Sequence, residues 1–447
     1  MVNVAKKRKR GYNTLMDGQH IPESTYPLTF RQADAKKLGK YVEQRRSVNL
    51  IGMRRVGISN FLRFFLHNPK IVPTYISDTQ QHLFIPVDLN DLVEREIYPF
   101  WTLALKRLVD ACETSFLPDE TKEKINALFL TSIQSQDLFL VIDTIRKALL
   151  MIVEKGMYPT FFFIRFDRLQ DAFNPSFFDN LEGLYDATHE RMSYVFTSYR
   201  SLDSIFPSTK TSLSVLAQQM YVAPANEKDM EIVYGSYRER YHLDISTDLE
   251  KVLFRLVAGN IQYLQLALIL LNEKKGTNLT EEKELLKLLL ADERITLESE
   301  ELWESLTKEE KKVLLQVVKK QQLTQEDKEK ASYLWDTGFV TGNNVFSPLL
   351  EEYLLHKEPD ESKKKETVHL TRKEHLLFVL LESHLGDICE REEIIESVWP
   401  EYKEFGVSDW AIDRLVARVR VKLREQNSPY EIVTVRTRGY KLTTVKE

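Results

Sequence analysis

Two stretches of this 447-residue chain hold residue types at spacings that can do chemistry. The first reads Gly52-Met53-Arg54-Arg55-Val56-Gly57-Ile58-Ser59. It follows a short apolar run and precedes an apolar helical one. A glycine loop in that setting can cradle a phosphate on its backbone N–H groups, with the helix N-terminus adding to the attraction. The usual loop carries lysine after its last glycine, and here Ile58 stands in that place. The candidate phosphate contacts are Gly52, Arg54, Arg55, Gly57 and Ser59, with Arg165 as a further cation in a later strand. The second stretch is DWAIDRLVARVRVKLRE, residues 409–425. At 3.6 residues per turn, Ile412, Val416, Val419 and Leu423 share one face, which should be buried. Arg414, Ala417, Arg418 and Val421 share the opposite face. Arginine pairs bidentately with guanine, and alanine or valine can touch a thymine methyl, so that face suits a major groove. Asp409 or Ser408 can cap the helix start.

The elements that must position these residues follow from periodicity. Residues 370–442 read as three amphipathic helices and a terminal hairpin, the plan of a winged helix-turn-helix. The hairpin brings Arg436 and Arg438 near Gly439, so a turn there would carry cations on a wing tip. From Arg414 onward cations outnumber anions, while Glu390 to Asp413 is strongly acidic, so the domain is polarised. Around the glycine loop, a helix at Ala33–Arg45 precedes an apolar strand at Val48–Ile51, and a helix starts near Ser59. Further strands are expected at Leu83–Leu89, Thr160–Leu169, Ser193–Arg200 and Met220–Ala225, with helices around Trp101–Cys112 and Leu138–Lys155. The near-continuous apolar run TFFFI is what a buried parallel strand needs, and the alternation with helices argues for an α/β fold with both faces of its sheet covered. The expected organisation is a basic, polar arm (1–26), the α/β domain (27–226), a helical lid (227–298), a small winged-helix-like unit with a hairpin at Gly342-Asn343-Asn344 (299–355), a charged linker (356–367) and the C-terminal winged helix (368–447).

The C-terminal stretch resembles the OmpR-type winged helix of bacterial response regulators. The resemblance rests on LTxxE at Leu370–Glu374, Arg391-Glu392-Glu393 followed by Val398-Trp399, RVRVKL, and TVRTRGYKL. It implies a double-stranded DNA ligand. Arg418, Arg420, Thr434, Arg436 and Tyr440 fall on the family pattern, and Lys422 and Arg438 add cations beside them. Trp410 and Ala417 depart from it, so base preference does not carry over. Of the sheet the family places before the first helix, only a short piece near Thr367–Leu370 is available. Residues 27–271 resemble the archaeal and STAND branch of AAA-like P-loop ATPases through GMRRVG, FDRL, VFTSYR and AGNIQYLQ. That resemblance implies a magnesium-holding aspartate and a water-activating glutamate where Ile164 and Arg165 stand, and a sensor arginine where Gln262 stands. Losing one charged hydrogen bond, about 1.5–3 kcal/mol, would weaken nucleotide binding roughly 10- to 100-fold. Losing the acidic pair would remove turnover. The expectation is a pseudo-ATPase that binds ATP or ADP weakly without Mg²⁺, or binds none and keeps only the fold.

Composition narrows the rest. Net charge is −5, so any DNA contact must be a local patch, and Lys6 to Arg10 read as a solvated basic tail. Cys112 and Cys389 are far apart and fit no metal or disulfide spacing, as in a reducing cytoplasm. No apolar run has the length of a membrane span. No catalytic triad or metal-ligand spacing stands out, and His189 and Asp186 read as solvated residues of a polar helix. The sequence thus points to a cytoplasmic, nucleoid-associated transcriptional regulator without enzymatic turnover. It would assemble as a homo-oligomer on repeated DNA half-sites and meet RNA polymerase or other transcription machinery. The alternatives are an active NTP-driven switch, with Asp167 holding magnesium, and a module that binds only protein.

Overall fold

The computed structural model describes residues 21–76, 81–92, 96–169, 175–206, 217–241, 243, 245–274, 282–355, 372–399, 409–425, 428–435 and 438–444. The expected basic tail, the linker 356–367, the piece at Thr367–Leu370, Ser408 and Arg436 lie outside these residues. The chain divides into two compact units, Met1–Pro359 and Asp360–Glu447.

The first unit is built on a five-stranded parallel sheet. Its strands are β1 (Val48–Ile51), β2 (His82–Asp88), β3 (Tyr158–Ile164), β4 (Ser193–Ser198) and β5 (Gln218–Tyr221), in the order β2-β3-β4-β1-β5. Side chains alternate across a pleated strand, and each core takes one parity. Phe161, Phe163, Tyr194 and Phe196 point into a core closed by helices Ile97–Glu113, Leu138–Glu154 and Pro175–Ala187, with Trp101, Ile145 and Leu181. Phe162 and Val195 point into the other core, with Phe61 and Phe65 of helix Ile58–His67. The central strands β1 and β4 are buried at every position, so they read as apolar runs. Edge strand β2 alternates instead, and Pro86, which cannot donate to a ladder, is tolerated there.

Several expected boundaries shift. The third strand ends at Ile164, and Phe166–Leu169 forms a 3-10 turn rather than continuing it. The last strand is Gln218–Tyr221, not Met220–Ala225. Helix Asp119–Ser135 was not foreseen, because little of its surface is buried and its apolar pattern is weak. His189 lies beyond the helix that ends at Ala187, in a turn with φ 51°. The arm does not run to residue 26: Tyr26 is in the core, and buried Glu23 bonds Arg63 at 2.6 Å. A cut between residues 298 and 299 falls inside helix Glu293–Glu304.

The described residues between 227 and 355 pack on the same core as the sheet. Leu264 of helix Ile261–Glu273 and Leu314 of helix Lys308–Val318 belong to the cluster that holds Phe61. The small hairpin β6 (Val340–Thr341) and β7 (Asn344–Val345) turns at Gly342, φ 62°, as expected of this site. A buried ion pair joins this region to the sheet. Arg200, just past β4, donates to Glu310 Oε1 at 2.6 Å and Oε2 at 2.5 Å, and to the Ser305 carbonyl at 2.5 Å. Its guanidinium lies 3.8 Å from the Tyr333 ring centre. Glu310 also completes a capping box with Thr307.

In the second unit, helices Arg372–Ser383, Arg391–Val398 and Asp409–Glu425 pack on a three-stranded sheet of β8 (Ile388–Glu390), β9 (Tyr430–Val435) and β10 (Gly439–Thr444), ordered β8-β10-β9. The terminal hairpin was legible in advance, and β8 was not. Gly439 is required by close approach rather than by a turn: a Cβ there would meet the Cys389 carbonyl at 2.0 Å.

The Arg200 pair yields a test. Glu310→Ala leaves a largely buried guanidinium without its carboxylate, which should lower unfolding stability by about 3–5 kcal/mol. Chemical denaturation of the two proteins would measure this. A loss below about 1 kcal/mol would mean the pair does not hold the helical region to the sheet.

Candidate functional site

In the C-terminal unit, helix Asp409–Glu425 buries Ile412, Leu415, Val416, Val419 and Leu423. Four of these match the expected face, and Leu415 widens it. Ala417, Val421 and Arg424 are exposed, and Arg414 is half-buried. Arg424, about one turn beyond Val421, extends the exposed face past the four positions that the spacing picks out.

Several cations expected to read DNA are instead held within the domain. Glu374, 1% exposed, accepts from Lys422 Nζ at 2.6 Å and lies 3.5 Å from Arg418 Nε. Arg420 donates to the Ile432 carbonyl at 2.8 Å and to Thr434 Oγ1 at 2.7 Å, and faces the Tyr440 ring at 5.8 Å. Burial lowers the Arg420 pKa, and the interactions with Tyr440, Glu431 and Asp413 oppose that shift. Tyr440 donates to Asp413, whose carboxylate also pairs with Arg391 at 2.9 Å. Burial, and then the bond to Asp413, push the Tyr440 pKa up. The helix, sheet and hairpin are therefore tied by the same polar residues that the sequence pattern assigned to DNA. Arg438, near the wing, makes an exposed pair with Glu390 at 3.2 Å. Such a pair contributes little and can exchange for a phosphate.

In the first unit the glycine loop sits between β1 and helix Ile58–His67, as the spacing implied. Gly57 is the helix N-cap at φ 107°, and a Cβ there would meet Ile261 Cγ1 at 2.7 Å. A Cβ on Gly52 would meet the Val222 carbonyl at 2.8 Å, Val56 Cγ1 at 2.9 Å and Ile58 Cδ1 at 3.1 Å. The side chain in the lysine position is thus an apolar one folded back onto Gly52. Ser59 follows on the first turn of the helix.

The loop arginines have carboxylate partners from far along the chain. Arg54 pairs with Glu301 at 3.3 Å, its guanidinium 4.0 Å from the Tyr199 ring centre. Arg55, at φ 58°, pairs with Glu301 at 3.0 Å and Glu298 at 3.6 Å, and donates to Gln262 Oε1 at 3.3 Å. Arg165, at φ 61°, is paired with Asp88, while its backbone N–H donates to Thr197 Oγ1 at 2.7 Å. Asp167 has its pKa raised by burial, against the opposing pull of Arg54.

Arg31 went unnoticed in the sequence, since nothing local distinguishes it. Its buried guanidinium donates to the Ala223 carbonyl at 2.7 Å and the Val56 carbonyl at 3.4 Å, while its backbone N–H donates to Asp229 at 2.7 Å. It ties the back of the loop to Ala223 and to helix Glu227–Tyr241.

Residues 364–442 match the family described as "Transcriptional regulatory protein, C terminal". The C-terminal unit is thus a DNA-binding winged helix of the transcriptional-regulator type. Over most of its length the chain is also similar to solved ATPase and replication-initiator structures. The Walker-type ATPase of Pyrococcus abyssi shares 16% identity over 73% of this chain and 95% of that one, at a TM-score of 0.44. The ORC2 protein of Aeropyrum pernix in its ADP form shares 10% over 90% and 98%, at 0.40. The ORC1 protein of Aeropyrum pernix in complex with DNA shares 11% over 95% and 91%, at 0.40. Among the described residues no helix is long and apolar enough to cross a membrane.

The loop's acidic partners predict a pH effect. Glu298 is fully buried, and burial with the neighbouring Glu301 charge pushes its pKa up to about 8, against Arg55 and Arg54. A carboxyl whose folded pKa exceeds its unfolded value stabilises at low pH, and that contribution is lost as pH rises towards 8. Melting temperature measured from about pH 5 to about pH 8 should therefore fall more for the parent than for Glu298→Gln. Parallel curves would show that Glu298 keeps an ordinary pKa.

Proposed function

We propose that the protein is a sequence-specific regulator of transcription that binds double-stranded DNA through its C-terminal winged helix. The observation that carries this reading is the helix Asp409–Glu425, seated on its core so that Ala417, Val421 and Arg424 face outward in a domain of the transcriptional-regulator type. Arg414 and Arg438 are the cations best placed to join them. Arg418, Arg420, Lys422 and Thr434 position the reading helix rather than read bases. One winged helix binds modestly, so the chain works as a homo-oligomer on repeated half-sites and engages RNA polymerase or other transcription machinery. It acts in the cytoplasm, at the nucleoid.

The first unit senses or assembles and does not turn over nucleotide. Three features support this. Ile58 covers Gly52 where a lysine would reach phosphate. Arg54 and Arg55 are both paired with the Glu301 carboxylate. Arg165 occupies the end of β3 and pairs with Asp88 instead of leaving an acidic pair for Mg²⁺. Backbone N–H groups at the helix N-terminus still attract phosphate, so ATP or ADP binds weakly and without Mg²⁺. The competing reading, an active NTP-driven switch, rests on Asp167 at the sheet edge, whose carboxyl is buried near Arg54.

Selection from random duplexes with the full chain should enrich a repeated motif. On that motif Arg414→Ala should cost about 1–3 kcal/mol and relax preference at one base position. Should both Arg414→Ala and Arg438→Ala bind selected and random DNA like the parent, the reading face has been placed wrongly.

Calorimetric titration with ATP or ADP should give weak binding that EDTA leaves unchanged, and a phosphate-release assay should stay at background. Robust Mg²⁺-dependent release abolished by Gly57→Asp would establish the active switch instead.

A further inference from the structure

Three arginines gather at the edge of the sheet opposite the glycine loop, where neither the loop nor the winged helix gives them a task. Arg45 and Arg46 lie in the turn between helix Gln32–Glu43 and β1, and Arg191 lies in the turn between helix Pro175–Ala187 and β4. The register brings these turns together: Val48 of β1 pairs with Val195 of β4, and Ser193 of β4 pairs with Thr160 of β3. Tyr158 begins β3 at this edge, and both Arg45 and Arg191 reach its ring, at 4.9 Å and 5.6 Å from the centre. Arg45 sits at φ 57°, in a left-handed turn just past the helix. The His82 ring lies 5.6 Å from Tyr158 on the neighbouring strand.

These three differ from most arginines of the same unit. Arg54, Arg55, Arg63, Arg107, Arg200 and Arg294 are all held by carboxylates. No ion pair or side-chain hydrogen bond holds Arg45, Arg46 or Arg191 among the described residues. Nearby anions are exposed Glu43, two residues before Arg45, and Glu190 and Asp186, whose charges act with that of Arg45 on the Tyr185 hydroxyl. Helix C-terminal ends favour nearby cations. That effect does not bring guanidiniums from two separate turns onto one ring. Like charges on a shared ring repel, and an anion between them relieves the repulsion. A guanidinium stacked by its face keeps its N–H edge available for bidentate bonds to phosphate oxygens.

We propose that Arg45 and Arg191 over Tyr158, with Arg46 beside Arg45 in the same turn, form a second DNA contact that takes backbone phosphates without reading sequence. This rests on the chain being a DNA-binding regulator. In a chain of net charge −5, a local cationic cluster is what a phosphate backbone requires. The cluster adds to the winged helix through effective concentration, so each gains without a new base contact.

The test uses the full chain and two duplexes: one trimmed to the selected motif, and one carrying the motif with long flanks. Affinity is measured across salt for the parent, for the triple variant Arg45→Ala, Arg46→Ala, Arg191→Ala, and for the triple lysine variant. On the long duplex the alanine triple should lower the log–log salt slope by about 0.9 for each phosphate it no longer neutralises, while the trimmed duplex shows no difference. The lysine triple should keep most of the slope, which a merely structural role would not explain. An unchanged slope for the alanine triple on the long duplex, with the parent binding both, overturns this second DNA contact and leaves the winged-helix reading standing. No binding of either duplex by the parent removes the regulator reading, and this proposal with it.

Discussion

One carboxylate on helix Glu293–Glu304, that of Glu301, holds the glycine loop by its two arginines, and much of the charge pairing of the first unit lies around that contact. Arg54 and Glu301 are 247 residues apart in the chain. Their pairing joins the C-terminal edge of the sheet to the helix that leads into the small hairpin-bearing region. Charge taken from water must be matched, and removing one partner costs more than the pair is worth. Arg200 with Glu310, and Arg31 with Asp34, repeat this pattern around the same edge. An incoming phosphate would have to compete with carboxylates already in contact with the loop.

The C-terminal unit solves a related problem with other residues. Glu374 is almost fully buried, and Lys422 and Arg418 stand over it. Arg420 ties the third helix to β9 through Ile432 and Thr434. Several basic residues of this helix are thus held within the domain. What faces outward is a small apolar strip, Ala417 and Val421, beside Arg424.

Much of the fold was legible because it rests on local periodicity. The buried strands β1, β3 and β4 read as apolar runs, and the reading helix showed its core face at Ile412, Val416, Val419 and Leu423. Gly52 and Gly57 were legible as loop glycines, yet the reason each is needed was not. Both are pressed by side chains and carbonyls of other segments, Val222 and Ile261 among them. Helix Asp119–Ser135 and strand β8 were missed because each is weakly patterned and defined by its neighbours.

The sequence by itself determined the α/β class, the place of the glycine loop, the absence of lysine after Gly57, and the winged helix at the C-terminus. These depend on spacing along the chain, and spacing is visible in the chain. The tertiary structure alone decided what each charged residue does. Arg54, Arg55, Arg418 and Arg420 carry the same guanidinium as Arg45 and Arg191. Only folding brings carboxylates or carbonyls to the first four and an aromatic ring to the last two. A cation's role is set by what lies within a few ångströms of it, because Coulomb and hydrogen-bond energies fall off over that range. Those neighbours come from segments that no local pattern connects.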